Sequence, residues 1–299
     1  MADIDIASDR LRCVISTQGG SIWRLEADLG AGLQPLLRPP PEGSDRDPLK
    51  AGCFPLVPFG NRVEGNRFVF DGVEHSLAPN IPWDSHYLHG DGWLADWTVD
   101  QRRQALASLS FDFQGEPYRY RATQRFECDG TTLRATLGVT NLGTQPMPFG
   151  LGWHPFFPLT PATTLEATAT DYWTEKAGWL PDARMAIPET LGFSRPKTLP
   201  RRWVNNGFEG WHGAASIVWA ERRIRLDIET APALSRYFLF VSDTKFDPHY
   251  REDFFCFEPM SHSPNGQNLS ALGGLTVLAP GQGMAVSMTL SCSAMRGPP

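Results

Sequence analysis

The sequence predicts an all-β protein built as one large antiparallel β-sandwich, on three observations. Apolar and polar residues alternate with period two in run after run, the pattern of strands with one face in a core and the other in water. Asp-Gly turn signals separate neighbouring runs. No segment carries the apolar spacing of an amphipathic helix of ordinary length, and no fixed-period repeat is present. The 26 prolines and 28 glycines among 299 residues suit a chain of many turns.

In chain order, Arg38–Pro41 is proline-rich and predicts a loop rather than a linker, because strands resume after it. Phe68–Phe70 and Val73–Leu77 flank Asp71-Gly72 and predict a hairpin. From Tyr118 to Cys128 one face reads Tyr, Tyr, Ala, Gln, Phe, Cys and the other carries Arg119, Arg121, Thr123, Arg125 and Glu127. Asp129-Gly130 then turns the chain into a run with Leu133, Ala135, Leu137 and Val139 on one face. The stretch GLGWHPFFPL, residues 150–159, follows a strand pattern and ends in a proline-broken aromatic run. Residues 196–213 predict a second long loop, with Asn206-Gly207 as a turn signal. Ile224, Leu226 and Ile228 alternate with Arg225, Asp227 and Glu229, and Met284 to Cys292 alternates with small polar residues. No shift in composition marks a boundary, so a single domain over residues 1–299 is expected.

The net charge of -6 and the absence of a long Lys/Arg run argue against a nucleic-acid backbone or an anionic lipid surface as partner. The five cysteines are scattered, odd in number and without a CxxC pair, as expected of reduced, mostly buried thiols. The first ten residues, MADIDIASDR, carry three acidic side chains and no apolar core, unlike a secretory signal. With no apolar run long enough to span a bilayer, the expected location is the cytoplasm.

There is no Walker A loop, no GxGxxG after a strand, no HExxH and no GxSxG. Three other segments hold the candidate chemistry. In CFPLVPFGNRVEGNRF, Arg62 follows a proline-stiffened loop; from this segment alone, a surface arginine at a strand start is the simpler reading. In DSHYLHGDGW, His86 and His89 would point to opposite faces of a strand, and no third metal ligand is evident, so a metal site is not expected. In FFCFEPMSHSPNG, Glu258 closes an apolar run. An unpaired buried charge is expensive, so it either reaches solvent past Pro259 or points into a polar cleft.

FPLVPFGNR, LHGDGW followed by Trp97, GWHPFF, FEPMSH and the closing LAPGQGMAVSM, in that order, resemble the aldose 1-epimerase (galactose mutarotase-like) family. The likeness runs from about Gly19 to Leu290. It implies a β-supersandwich with an open sugar-binding cleft across one sheet and no cofactor or metal. It further implies His154 as general acid, Glu258 as general base, and Arg62 and His89 as ligands for sugar hydroxyls. The partner so implied is a free monosaccharide, interconverted between α and β anomers. Galactose, glucose, a pentose, a deoxy or acidic sugar and a hexose phosphate are all compatible with it.

The residue types suit that chemistry. Opening a hemiacetal removes the proton of the anomeric hydroxyl and protonates the ring oxygen; rotation and reclosure give the other anomer. A carboxylate of reference pKa ~4.3 and an imidazole of ~6.5 are base and acid together between those values. One position departs from the family: where an Asp usually binds ring hydroxyls, RWVNNGFEGWHG has Asn205, which still accepts and donates but carries no charge. Asn205 as an ordinary turn residue is the competing reading. Among the ten tryptophans, Trp93, Trp153 and Trp211 lie in the candidate segments and offer flat faces to a pyranose, although core packing accounts for most tryptophans. Trp153 is taken as a substrate contact, and His262 as a further one through its nearness to Glu258. Two rival readings stand beside this one: a sugar-binding protein on the same scaffold with catalysis weak or lost, which Asn205 favours, and a metal-dependent β-sandwich enzyme using His86 and His89.

Overall fold

The computed structural model describes residues 3–295 and has two large antiparallel sheets facing one another across a shared core. The nine-stranded sheet runs in the order Thr98–Arg103, Leu106–Gln114, Arg119–Asp129, Thr132–Asn141, Gly283–Ala294, Ile224–Thr230, Ala214–Trp219, Thr163–Ala167 and Phe193–Thr198. These strands obey the alternation read from the sequence. In Arg119–Asp129, Tyr120, Ala122, Gln124, Phe126 and Cys128 are buried, while Arg119, Arg121, Thr123 and Arg125 are exposed. Gly130, at φ +54°, closes the turn into Thr132–Asn141, whose Leu133, Ala135, Leu137 and Val139 join the same core. The residue 68–77 hairpin forms as a separate two-stranded ribbon. All five cysteines are free and buried.

The eleven-stranded sheet runs Asp3–Ala7, Leu11–Ser16, Ser21–Asp28, Cys53–Leu56, Gly152–Pro158, Phe254–Met260, Arg236–Val241, Val204–Glu209, Asp171–Lys176 and Leu180–Ala186, with Leu33–Pro35 attached to Ser21–Asp28. Its central strands are buried on both faces. Trp153, Phe157, Phe255, Phe257, Tyr237 and Leu239 point into the core between the sheets. On the opposite face Phe54, Phe156, Phe238, Cys256 and Met260 form a second apolar cluster with Leu88 and Trp93. Strands wet on neither face read as continuous apolar runs, which is why this sheet carries little period-two signal.

One expectation is overturned here. Residues 196–213 are not a loop: Val204–Glu209 is an interior strand, with Asn205 opposite Phe240, Asn206 opposite Leu239 and Gly207 opposite Phe238. Asn206-Gly207 is therefore not a turn, and Gly207 serves close packing instead; a Cβ there would lie 2.9 Å from Cδ of Pro264. The start of the supposed loop is also paired, since Phe193–Thr198 forms an edge of the nine-stranded sheet, where a proline such as Pro196 is tolerated. Among the described residues no helix is long and apolar enough to cross a membrane.

Candidate active site

Strand register brings the two titratable side chains together. Gly152 pairs with Met260 and Phe156 with Cys256, so His154 and Glu258 face each other midway between those pairs. His154 also pairs with Phe54, and Glu258 with Phe238, giving a row Phe54, His154, Glu258, Phe238 across four strands. A parallel row holds Phe156, Cys256, Phe240 and Asn205. These rows underlie a cleft of about 550 Å³ lined by His154, Glu258, Asn205, Arg62, His89 and Arg38, with an aromatic wall that includes Trp83, Trp179 and Phe246.

Nε2 of His154 lies 3.3 Å from Oε1 of Glu258. The imidazole is held between Phe54, stacked at 4.4 Å between centroids, and Phe156 at 4.6 Å. Phe54 in turn stacks on Trp93. Among the described residues, Nδ1 of His154 and Oε2 of Glu258 are buried without a hydrogen-bond partner. With His154 only 8% and Glu258 1% exposed, removal from water decides their protonation. Burial raises the Glu258 carboxyl well above the usual range, opposed by the Arg62 charge. Burial holds the His154 imidazole well below its usual value, and the Arg38 charge adds to this. The reference order, with an ionised carboxylate beside a protonated imidazole, is thus inverted. Between the lowered histidine value and the raised carboxyl value the resting pair is a carboxylic acid beside a neutral imidazole, with one proton between them.

Arg62 and His89 come from two segments locked side by side. Arg62–Val63 pairs with Tyr87–Leu88; the Asn61 N–H donates to Nδ1 of His89 at 3.0 Å, and the His89 N–H donates to the Asn61 carbonyl. Because Nδ1 accepts, the neutral His89 ring carries its proton on Nε2 and is a donor. Burial keeps that ring uncharged, as do its neighbours His154 and Arg62. It stands perpendicular to His154, 5.1 Å away. Arg62 is not a surface residue. It is buried, and its Nε donates to buried Asp84 at 2.8 Å, leaving the fork's ends toward the cleft it lines. Asp84, which sequence reasoning missed, neutralises a guanidinium that burial otherwise penalises.

Asn205 lines the cleft as expected. Its Nδ2 donates to Oε2 of Glu175 at 2.6 Å. Two other expected contacts are placed elsewhere. Trp153 is adjacent to His154 in a strand and therefore points to the opposite face, into the core, with its indole N–H buried and unpartnered among the described residues. His262 is fully buried beneath the loop that carries Arg62; its Nε2 accepts from the Gly60 N–H at 2.9 Å, and burial lowers its pKa to about 4. It supports the site without lining it. Trp93 and Trp211 are likewise core residues. Among the described residues no group of three or more His, Cys, Asp or Glu side chains is arranged to hold a metal ion.

The aromatic wall comes from residues the sequence did not single out. Trp179 occupies the turn between Asp171–Lys176 and Leu180–Ala186 at φ +58°, a conformation costly for a bulky side chain. Its ring lies over the Arg62 guanidinium, 5.1 Å from the centroid. Phe246 packs against Trp83, Trp179, Trp203 and Phe240. Arg38, in the loop of prolines, stacks on Phe156 at 3.9 Å and donates to the Leu49 and Ala51 carbonyls. A proline-flanked arginine was the available signal for Arg38; a Gly-Trp turn was the signal for Trp179.

Comparison with known proteins agrees with this architecture. Residues 3–291 match the family model described as aldose 1-epimerase. The protein YphB of Escherichia coli K12, which is uncharacterized, is 45% identical over 284 residues, covering 94% of this chain and 95% of YphB. A crystal structure from the same organism, provisionally assigned as an aldose 1-epimerase, superposes with a TM-score of 0.94 at 43% identity, covering 98% and 99% of the two chains. A galactose mutarotase-like protein from Clostridium acetobutylicum shares the fold, with a TM-score of 0.84 at 18% identity over 97% and 95% of the chains. On a family match along nearly its whole length, and on relatives of more than 40% identity, this chain belongs to the aldose 1-epimerase family.

Proposed function

We propose that the protein is a cofactor-free aldose 1-epimerase that interconverts the anomers of a free reducing sugar. The observation that carries the reading is the buried contact between Nε2 of His154 and Oε1 of Glu258, on the floor of a cleft of sugar-binding dimensions. Glu258 is the base that takes the proton of the anomeric hydroxyl, and His154 is the acid that protonates the ring oxygen. The charged form this requires, carboxylate and imidazolium, holds the same number of protons as the neutral resting pair. It is reached by moving one proton across the contact, and the neighbouring Arg62 charge favours the carboxylate.

Ring opening then leaves both groups neutral, the state that burial prefers. Desolvation therefore works in the direction of opening, and closure on the other face returns the protons by the reverse route. Arg62 and the His89 Nε2–H hold sugar oxygens by donating to them, and Asn205 supplies an acceptor. Trp179 and Trp83 give the pyranose an apolar surface to lie against.

The test is anomer exchange followed by NMR over a panel of reducing sugars, with methyl glycosides as controls. Accelerated exchange of at least one free sugar and none of the glycosides is expected. Activity should survive exhaustive EDTA treatment; a loss restored by one particular ion would overturn the cofactor-free reading. Sugar binding without exchange would turn the assignment to a binding protein on this scaffold.

A further inference from the structure

The Asn205 amide has a fixed orientation that its own strand does not explain. Its Nδ2 donates to Oε2 of Glu175 at 2.6 Å and faces the Trp179 carbonyl at 3.5 Å. Both neighbours on that side are acceptors, so the NH2 group is held toward them, and the amide oxygen must point the other way. Among the described residues Oδ1 has no protein hydrogen bond, and Asn205 lines the cleft between Trp179 and Phe240. Glu175 is itself anchored, accepting from the indole N–H of Trp203 at 3.0 and 3.2 Å. It lies at the bulge between Trp173 and Glu175, where the Asp171–Lys176 strand breaks register with Leu180–Ala186.

We infer that Glu175 is a positioning residue that locks the Asn205 amide with Oδ1 toward the cleft, and that this lock sets which sugar hydroxyl pattern is accepted. An amide rather than a carboxylate then stands at position 205 for a physical reason. An Asp in the same rotamer would set two carboxylate oxygens at hydrogen-bond distance with no proton between them and a carbonyl beside them. The uncharged amide supplies the same acceptor oxygen to a sugar and uses its other end to satisfy Glu175. The inference rests on the sugar-binding reading of the cleft and deepens it. Glu175 itself does not line the cleft.

Four variants test it: Glu175→Leu, Glu175→Gln, Asn205→Asp and the double Glu175→Gln/Asn205→Asp. Each is checked for folding by thermal melting, then assayed across the sugar panel for KM and kcat, and for sugar dissociation constants by tryptophan fluorescence. Glu175→Leu frees the amide to flip. KM for the best sugar should rise roughly threefold to tenfold, the yield of one hydrogen bond, while kcat stays within about twofold because the proton-transfer pair is untouched. The ranking of sugars should flatten. Glu175→Gln keeps an acceptor for Nδ2 and should restore most of the affinity. Asn205→Asp should weaken binding and reorder the sugars, and adding Glu175→Gln should recover affinity, because the glutamine amide can donate to the new carboxylate.

Unchanged KM and ranking in a folded Glu175→Leu would overturn the inference while leaving the epimerase assignment intact. So would an Asn205→Asp protein that gains nothing from Glu175→Gln. Wild-type protein that neither binds nor interconverts any sugar would overturn the functional reading and this inference with it. That outcome is separable, because it appears before any variant is made.

Discussion

Trp153 and His154 are neighbours in one strand, both buried, and they belong to different regions of the molecule. Trp153 faces the nine-stranded sheet across the main core, and His154 faces the cleft. Phe257 and Glu258 repeat the arrangement one strand away. The core face is filled by apolar side chains that satisfy one another. The cleft face holds two titratable groups with atoms left unpartnered, at a cost that packing elsewhere offsets. Burial alone therefore does not separate the faces. What separates them is which side of the pleat a residue occupies and whether it brings a titratable group there, since the core face also buries the Trp153 indole N–H without a partner among the described residues.

The largest effect is expected where the cleft face is altered. Glu258→Gln and His154→Asn should each lower kcat by about 10²–10⁴-fold, with sugar affinity falling far less. The double variant should be much less impaired than the product of the single losses, because the two groups act in one proton cycle. Near wild-type exchange in both folded single variants would break the assignment. The shifted protonation of the pair also fixes the sign of the pH profile. Activity requires one proton on the pair. The acidic limb is the addition of a second proton, to His154, and burial pushes it below the ordinary histidine range. The alkaline limb is the loss of the last proton, and burial of Glu258 pushes it upward. A plateau wider than the ~4.3–6.5 window of the free side chains is expected; a narrow optimum inside that window would contradict the inversion.

Altering the core face should do the opposite. Trp153→Ala should cost about 3–5 kcal/mol of stability through the cavity it leaves, while kcat of the protein that remains folded stays close to wild type. Denaturant unfolding and turnover measured on one preparation test both halves. Asp84→Ala lies between the regions. It strips a buried guanidinium of its partner, which typically costs about 3–5 kcal/mol, and it frees Arg62 from its anchor, so KM should rise together with the loss of stability. An Asp84→Ala protein of unchanged KM would mean that Arg62 does not hold sugar.

The same division explains what was legible in the sequence. Strands such as Arg119–Asp129 and Thr132–Asn141 are wet on one face, so period two reveals them residue by residue. The strands carrying the site are dry on both faces, and alternation says nothing about which side Trp153 or Glu258 takes. His154, Glu258, Arg62 and His89 were found by family likeness, and the cleft brings them together. Trp153 and His262 were drawn in by nearness in sequence: adjacent residues of a strand point to opposite faces, which sends Trp153 into the core, and His262 lies past the end of Phe254–Met260, under the Gly60 loop. Val204–Glu209 was missed because Asn-Asn-Gly is turn chemistry locally, and the pairing with Arg236–Val241 overrides it. Glu175 and Asp84 were invisible because each acts through a residue distant in the chain.

The smallest expected effect compares two carboxyls that burial shifts, half-buried Asp91 beside the core and buried Glu258 in the cleft. Asp91, beside the core tyrosines Tyr87 and Tyr120, has Oδ2 buried without a partner among the described residues, and burial raises its pKa to about 6 against the opposing tyrosine hydroxyls. Glu258 is raised by the same cause. A carboxyl whose folded pKa exceeds its unfolded value binds protons more tightly in the native state. Its contribution to stability is fully present below the unfolded value of ~3.9 and is lost as pH rises through the folded one. Asp91→Asn removes that dependence: the variant and wild type should unfold alike near pH 4, and the variant should melt somewhat higher above pH 6. Glu258→Gln should gain stability with the same sign. The two then part on function, since Asp91→Asn should leave turnover unchanged and Glu258→Gln should abolish most of it. A stabilised Asp91→Asn protein that also lost anomer exchange would place Asp91 in the catalytic apparatus, and the boundary between core and cleft would have to be redrawn through the Tyr87–Asp91 segment.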